Sequence, residues 1–125
     1  MVLNIEISIA SSKHLPYVPE IQEAIYKASL VKGTGIAVRS EEYLMGKIEE
    51  GKAVIALGNQ GKWAGFCYIE SWGHNKFVAN SGLVVSAEFR GAGLASEIKK
   101  RALELSSRLF PGARLFGLTT SLAVM

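Results

Sequence analysis

The chain has 125 residues, 49% hydrophobic and 20% charged, with a formal net charge of +3. That length suits one domain, residues 1–125, with a core of its own, and the composition excludes a disordered chain. The positive excess is too small and scattered for a nucleic-acid surface, no run of about eighteen apolar residues could span a membrane, and the lone Cys67 permits no intrachain disulfide, which points to a reducing, cytoplasmic setting.

Residues 4–10 alternate Ile5, Ile7 and Ile9 with Asn4, Glu6 and Ser8, the period-two pattern of a strand with one face in a core. Without a basic lead, and with Asn4 and Glu6 breaking its apolar run, this stretch reads as a strand and not a signal peptide. Residues 11–16 read as a loop. Pro19 suits the first turn of a helix that sets Ile21, Ala24, Ile25 and Ala28 on one face and ends before Gly33. Beyond a glycine-bearing connection over residues 32–39, Ser40 is a good N-cap for a second helix. Glu41 and Glu42 stand near its positive end, and Gly51 stops it.

A hairpin follows. Residues 53–57 are an apolar run, and Asn59, Gln60 and Gly61 carry turn chemistry. Residues 62–71 then set Trp63, Gly65, Cys67 and Ile69 against Ala64, Phe66, Tyr68 and Glu70. A second turn at Gly73, His74 and Asn75 leads into a strand over 76–85, completing an antiparallel meander. From Leu94, the apolar residues Leu94, Ile98, Ala102, Leu105 and Leu109 recur at helical spacing. Glu97 with Arg101 and Glu104 with Arg108 are four-apart pairs in the favourable order, and Pro111 and Gly112 end the helix. The last strand, residues 114–120, should pair parallel to residues 76–85 through a right-handed crossover. The fold class is therefore mixed α/β: a mostly antiparallel sheet of about five strands with three helices, without repeat or linker.

The chemistry concentrates where the strand ending at Leu83, Val84 and Val85 turns through Arg90, Gly91, Ala92 and Gly93 into the helix that opens with Leu94, Ala95 and Ser96. The first N–H groups of a helix lack intrahelical partners, and the macrodipole makes that end positive. Glycine at 91 and 93 removes Cβ atoms that would hold an anion away from those donors, and Arg90 adds a formal charge. Strand, glycine turn and helix together form an anion-binding design. A Walker loop does not fit, for want of the lysine. A dinucleotide fingerprint puts Ser96 at its third glycine and finds no acidic residue in 114–120. No metal site is expected, because His14 and His74 are far apart and have no second cysteine to join, and Cys67 reads as a small core residue.

The stretch from Leu83 to Ala95 resembles the GNAT superfamily of acetyl-CoA-dependent N-acetyltransferases. Its signature, Q/R-x-x-G-x-G/A after a strand ending L-x-V, is met by Arg90, Gly91, Ala92, Gly93, Leu94 and Ala95, with Leu83 and Val85 upstream. The order of elements is also the GNAT order, so the resemblance covers nearly the whole chain. It implies that the turn, extending to Ser96, cradles the pyrophosphate of acetyl-CoA, and that Leu83, Val84 and Val85 give backbone hydrogen bonds to its pantetheine arm. The strand with Leu115 to Thr120, L-F-G-L-T-T, looks similar to that of acetyltransferases acting on the α-amine of amino acids such as glutamate. A small amine, such as the α-amine of an amino acid, is the implied acceptor.

The amine must arrive unprotonated, and Glu70, at the end of its strand, is the candidate base; its bland alternative is an exposed strand-end glutamate. Arg39 could hold an acceptor carboxylate in a bidentate fork, or be a surface arginine at a helix start, and Trp72 falls in a loop near the acceptor. GNAT domains usually continue with a fourth helix, which commonly carries the tyrosine that protonates the leaving thiolate, and two more strands. Here the chain ends where that helix would begin, leaving the leaving-group acid unidentified. The expectation is a shortened chain, or a homodimer in which a second copy covers the sheet edge. A catalytically inactive acetyl-CoA-binding regulatory domain and a protein-interaction module are the alternatives.

Overall fold

The structure, a computed structural model, describes residues 5–31, 38–91 and 93–117. Five strands, β1 (Glu6–Ile9), β2 (Ala53–Leu57), β3 (Trp63–Trp72), β4 (Phe77–Val85) and β5 (Arg114–Gly117), form one sheet in sequence order. Every neighbouring pair is antiparallel except β4 with β5, which run parallel through the crossover helix α3 (Leu94–Leu109). The expected mixed α/β architecture is observed. The expected last strand is described only to Gly117, and residues 118–125 lie outside the described residues.

Helices α1 (Val18–Ser29) and α2 (Glu41–Glu49) cover one face of the sheet, and α3 covers the other. On the first face Val18, Ile21, Ile25, Leu44 and Ile48 pack against Ala53, Ile55, Phe66 and Tyr68. On the second, Leu94, Ile98, Ala102 and Leu105 pack against Val54, Ala56, Ala64, Cys67 and Ile69. Both faces being covered, β3 is buried without interruption from Trp63 to Ile69. The Ser40 hydroxyl accepts from the Tyr43 N–H at 3.1 Å, and Gly51, at φ +72°, follows the helix end, so start and stop stand where the capping residues put them.

Four local readings are corrected. Residues 12–17 form a 3₁₀ helix rather than a loop, because the buried His14 accepts from the Ser11 N–H through Nδ1 at 3.0 Å and closes the turn. Trp63 faces α1 and α2 with Phe66 and Tyr68, not α3 with Cys67. The β2–β3 register shifts so that Ala56 opposes Gly65 while Leu57 opposes Trp63, and this bulge reverses the alternation. Ile9, on the edge strand, and Leu109, in the last turn of α3, are exposed, both standing at the border of the layers. Arg101 donates to the Ile7 carbonyl at 3.1 Å, tying α3 to β1, and among the described residues neither four-apart pair of α3 closes as an ion pair.

Candidate functional site

β4 bends before it reaches the turn. Phe66 opposes Val84 but Tyr68 opposes Ser81, so Gly82 and Leu83 together face Cys67 as a bulge. Gly82 stands at φ +63°, and a Cβ there would lie 2.3 Å from Tyr68 Cε2, so both the backbone angle and the close ring require glycine. Pairing of β4 with β5 runs from Phe77↔Arg114 to Asn80↔Gly117, just short of that bulge. Leu83 and Val85 are half-buried on the α3 side, and Val84 is buried on the other.

After β4, a 3₁₀ turn over Ala87–Phe89 brings the chain to Arg90, which is exposed and donates through Nε to the Val85 carbonyl at 3.3 Å. Gly91 and Gly93 have φ of +85° and +74°, and a Cβ at either would meet nothing within 4 Å. Gly93 is the N-cap of α3, whose helical bonding begins with the Glu97 N–H to the Gly93 carbonyl at 3.3 Å. The N–H groups of Leu94, Ala95 and Ser96 therefore form the donor end of a sixteen-residue helix, with open space before the glycines. Leu94 is buried against the sheet, Ala95 half-buried and Ser96 exposed; Ala92 lies outside the described residues. Glu88 pairs with Lys62 at 2.7 Å, in the open.

The second group of predicted residues converges on the α1–α2 face. Arg39 donates to Glu70 Oε1 at 3.3 Å and, through Nε, to the Tyr68 hydroxyl at 3.1 Å. Tyr43 donates to the same Glu70 oxygen, and the Arg39 guanidinium lies 4.9 Å from the Tyr43 ring centroid. Ser81, on the bulged strand, donates to the Tyr68 hydroxyl at 3.5 Å. Lys47 donates to the Ile69 carbonyl at 2.8 Å, with its ammonium 5.8 Å from the Tyr68 ring centroid. Burial first, then the bond to Glu70, raises the Tyr43 phenol well above its ordinary value, so it stays a donor. Arg39 is raised, chiefly by its bond to Tyr68, and burial lowers Lys47.

Glu70 and Arg39 thus meet, each about one-third exposed, beside the strand that carries the bulge. Trp72 does not join them. It is the last residue of β3 rather than a loop residue, stacks on Phe77 at 5.6 Å between centroids, and is 47% exposed. Sequence reasoning missed Tyr43, Tyr68 and Lys47. Arg39, Tyr43 and Lys47 recur every fourth residue along α2 and its entry, a polar stripe beside the apolar one, and that spacing was the available signal. Most of the glycine-bearing connection over residues 32–39 lies outside the described residues. Among the described residues no group of three or more His, Cys, Asp and Glu could hold a metal, and no helix is long and apolar enough to cross a membrane.

A sequence model described as the acetyltransferase (GNAT) family matches residues 20–123. No curated protein matches the chain. Among solved structures, the chain is similar to N-acetylglutamate synthase from Neisseria gonorrhoeae complexed with coenzyme A and N-acetyl-glutamate. The TM-score is 0.75 at 18% identity, over 99% of this chain and 27% of that one. A Mycobacterium tuberculosis protein in complex with coenzyme A and NLQ gives 0.73 at 17% identity, over 94% and 66%. Diaminobutyrate acetyltransferase from Paenibacillus lautus, in complex with L-2,4-diaminobutyric acid and coenzyme A, gives 0.67 at 14%, over 93% and 66%. The chain spans about a quarter of the first of these and just under two thirds of the other two.

Proposed function

Because this chain belongs to the GNAT family of acetyltransferases, we propose that it transfers the acetyl group of acetyl-CoA to the α-amine of a small amino acid. The observation that carries this reading is the turn from Arg90 to Ser96. Two glycines at positive φ stand before the N-terminus of α3, and a Cβ added at either would meet nothing within 4 Å. The N–H groups of Leu94, Ala95 and Ser96, with Arg90, would receive the pyrophosphate, joined by Gly91, Ala92 and Gly93 of the turn. The backbone of Leu83, Val84 and Val85, past the end of the described β5 pairing, would receive the pantetheine arm. Acetyl-CoA supplies the activated acyl group as a thioester.

The amine nitrogen forms a bond to the acyl carbon as the bond to sulfur breaks, coenzyme A departs as its thiolate, which takes a proton from solvent, and the amine proton must leave. The bulge at Gly82 and Leu83 frees backbone from the β3–β4 ladder at the point where an N–H can polarise the acyl oxygen. Glu70 takes the amine proton, directly or through one water, and Tyr43 holds its carboxylate in place. Arg39 offers its fork to the acceptor carboxylate. In doing so it leaves Glu70, which opens that side of the carboxylate to the amine. An amino-acid acceptor is also supported by the fold neighbours whose bound ligands are N-acetyl-glutamate and L-2,4-diaminobutyric acid.

Calorimetric titration with acetyl-CoA, for the parent and for Gly93→Asp, tests this function. A carboxylate at the N-cap repels the phosphates; its Cβ would meet nothing within 4 Å, and a melting curve checks that the strain of a side chain at φ +74° leaves the variant folded. Saturable binding by the parent and none by the variant is expected, and a folded parent that does not bind would sink the proposal.

A further inference from the structure

Between the end of β4 at Val85 and the start of α3 at Leu94, one described residue is buried, Phe89, at 8% exposed. Ala87, Glu88, Arg90, Gly91 and Gly93 are exposed, and Ser86 is half-buried. The connection therefore has a single apolar anchor, and that anchor immediately precedes Arg90. Its seat lies in the turn between β2 and β3. A Cβ at Gly58 would stand 2.6 Å from Phe89 Cζ and 2.8 Å from Cε1. The backbone at Gly58 has φ −90° and ψ −164°, extended geometry open to any residue, so the ring, and not the backbone, excludes a side chain there.

The seat is itself held in place. The Gly58 N–H donates to the Lys62 carbonyl at 2.6 Å, the Gly61 N–H to the Gly58 carbonyl at 3.2 Å, and the Tyr17 hydroxyl to the Gly61 carbonyl. A second tie joins the same two turns, Lys62 with Glu88 at 2.7 Å. Both of its side chains are more than half exposed, so solvent screens the pair, and the buried ring is the stronger hold.

We propose that Gly58 is a positioning residue for the coenzyme turn, acting through Phe89, an inference that rests on the acetyl-CoA reading above. Arg90 follows Phe89 directly, and Gly91 and Gly93 lead on to the α3 N-terminus. The place of the ring thus sets how Arg90 and the glycine turn stand relative to the helix donors that share the pyrophosphate. Carbon atoms pack best at about 3.5–4.0 Å, so a methyl at Gly58 drives the ring back by about 1 Å. That shift carries Arg90 with it, and an anion held by several donors at once tolerates little misplacement of one of them.

The test compares the parent with Gly58→Ala, Phe89→Leu and the double variant carrying both substitutions. Each is melted without ligand and titrated calorimetrically with acetyl-CoA, well below every melting temperature. Gly58→Ala crowds the ring and Phe89→Leu leaves the seat part-empty, so each should bind acetyl-CoA about tenfold more weakly. In the double variant the alanine methyl fills space that the leucine vacates, and affinity should return to within about threefold of the parent. Parental affinity in both single variants, with only the melting temperature lowered, would show that Gly58 serves the fold alone and overturn the proposal. Weakening that the double variant does not relieve would overturn it too, because the loss would not run through the ring. If Gly58→Ala does not fold, Phe89→Leu against the double variant decides: tighter binding by the double variant supports the seat, and equal or weaker binding refutes it. A parent that binds no acetyl-CoA would sink the acetyl-CoA reading and this inference with it, an outcome distinct from a binding parent with indifferent variants.

Discussion

Replacing Gly82 by alanine should be among the costliest small substitutions in the protein, for two separable reasons. The backbone at φ +63° disfavours any Cβ, by about 1–2 kcal/mol. The added methyl would also stand 2.3 Å from Tyr68 Cε2 and 2.8 Å from Cδ2, so the ring must move within a closed core, at a cost of about 1–3 kcal/mol. Together these predict a loss of about 2–5 kcal/mol, a large share of the stability of a domain this size. Gly51→Ala is the natural control, since φ there is +72° but a Cβ would meet nothing within 4 Å, leaving only the backbone cost. Urea denaturation followed by circular dichroism gives both losses from the midpoints at constant m. The displaced ring also carries the hydroxyl that accepts from Arg39 at 3.1 Å, so Gly82→Ala should loosen that bond as well. A loss for Gly82→Ala within about 0.5 kcal/mol of that for Gly51→Ala would refute the contact between the bulge and Tyr68.

Arg39→Gln should raise the KM of a carboxylate-bearing acceptor about 10–100-fold while leaving amines without a carboxylate nearly unaffected, as steady-state kinetics with an amino acid and its carboxamide would reveal. Ser40→Ala removes the N-cap of α2 and should cost about 1 kcal/mol in urea; a change near zero would mean that the Tyr43 N–H finds water without loss. Burial pushes the Cys67 thiol from 9.0 up to about 12. At pH 8 roughly one thiol in ten thousand is then ionised, so a thiol reagent should react only as fast as the protein unfolds, and prompt labelling of the native protein would contradict that burial. The sign of the linkage follows from the raised value. The stability contributed by the neutral thiol is intact below pH 9 and is lost as pH rises toward about 12, a loss that Cys67→Ala should abolish in alkaline denaturation curves.

Periodicity and local backbone chemistry were enough for most of the elements and for the glycine turn before α3. The apolar spacing of α3, the Ser40 cap, the Gly51 stop and the glycines at 91 and 93 all act within a few residues of themselves, so their physics is written in adjacent letters. The cluster of Arg39, Tyr43, Tyr68 and Glu70 is of another kind. Arg39 and Tyr43 come from the start of α2, and Glu70 and Tyr68 from β3, about thirty residues later, and only the packing of α2 on the sheet makes them neighbours. The bulges are also tertiary decisions. Nothing in the alternation of residues 62–71 says that Ala64 is the extra residue that turns Trp63 to the opposite face, because either register buries apolar groups when both faces are covered. Likewise Asn80 reads, with Ser81, as a polar pair able to position water in an otherwise apolar strand, and its burial without a hydrogen-bond partner exists only once β3, β5 and α3 have closed around β4. Short-range chemistry thus determined where strands, helices and the glycine turn before α3 lie. Which side chains share a face, and which buried groups are left wanting a partner, was decided by register and layer packing, which couple residues far apart in sequence.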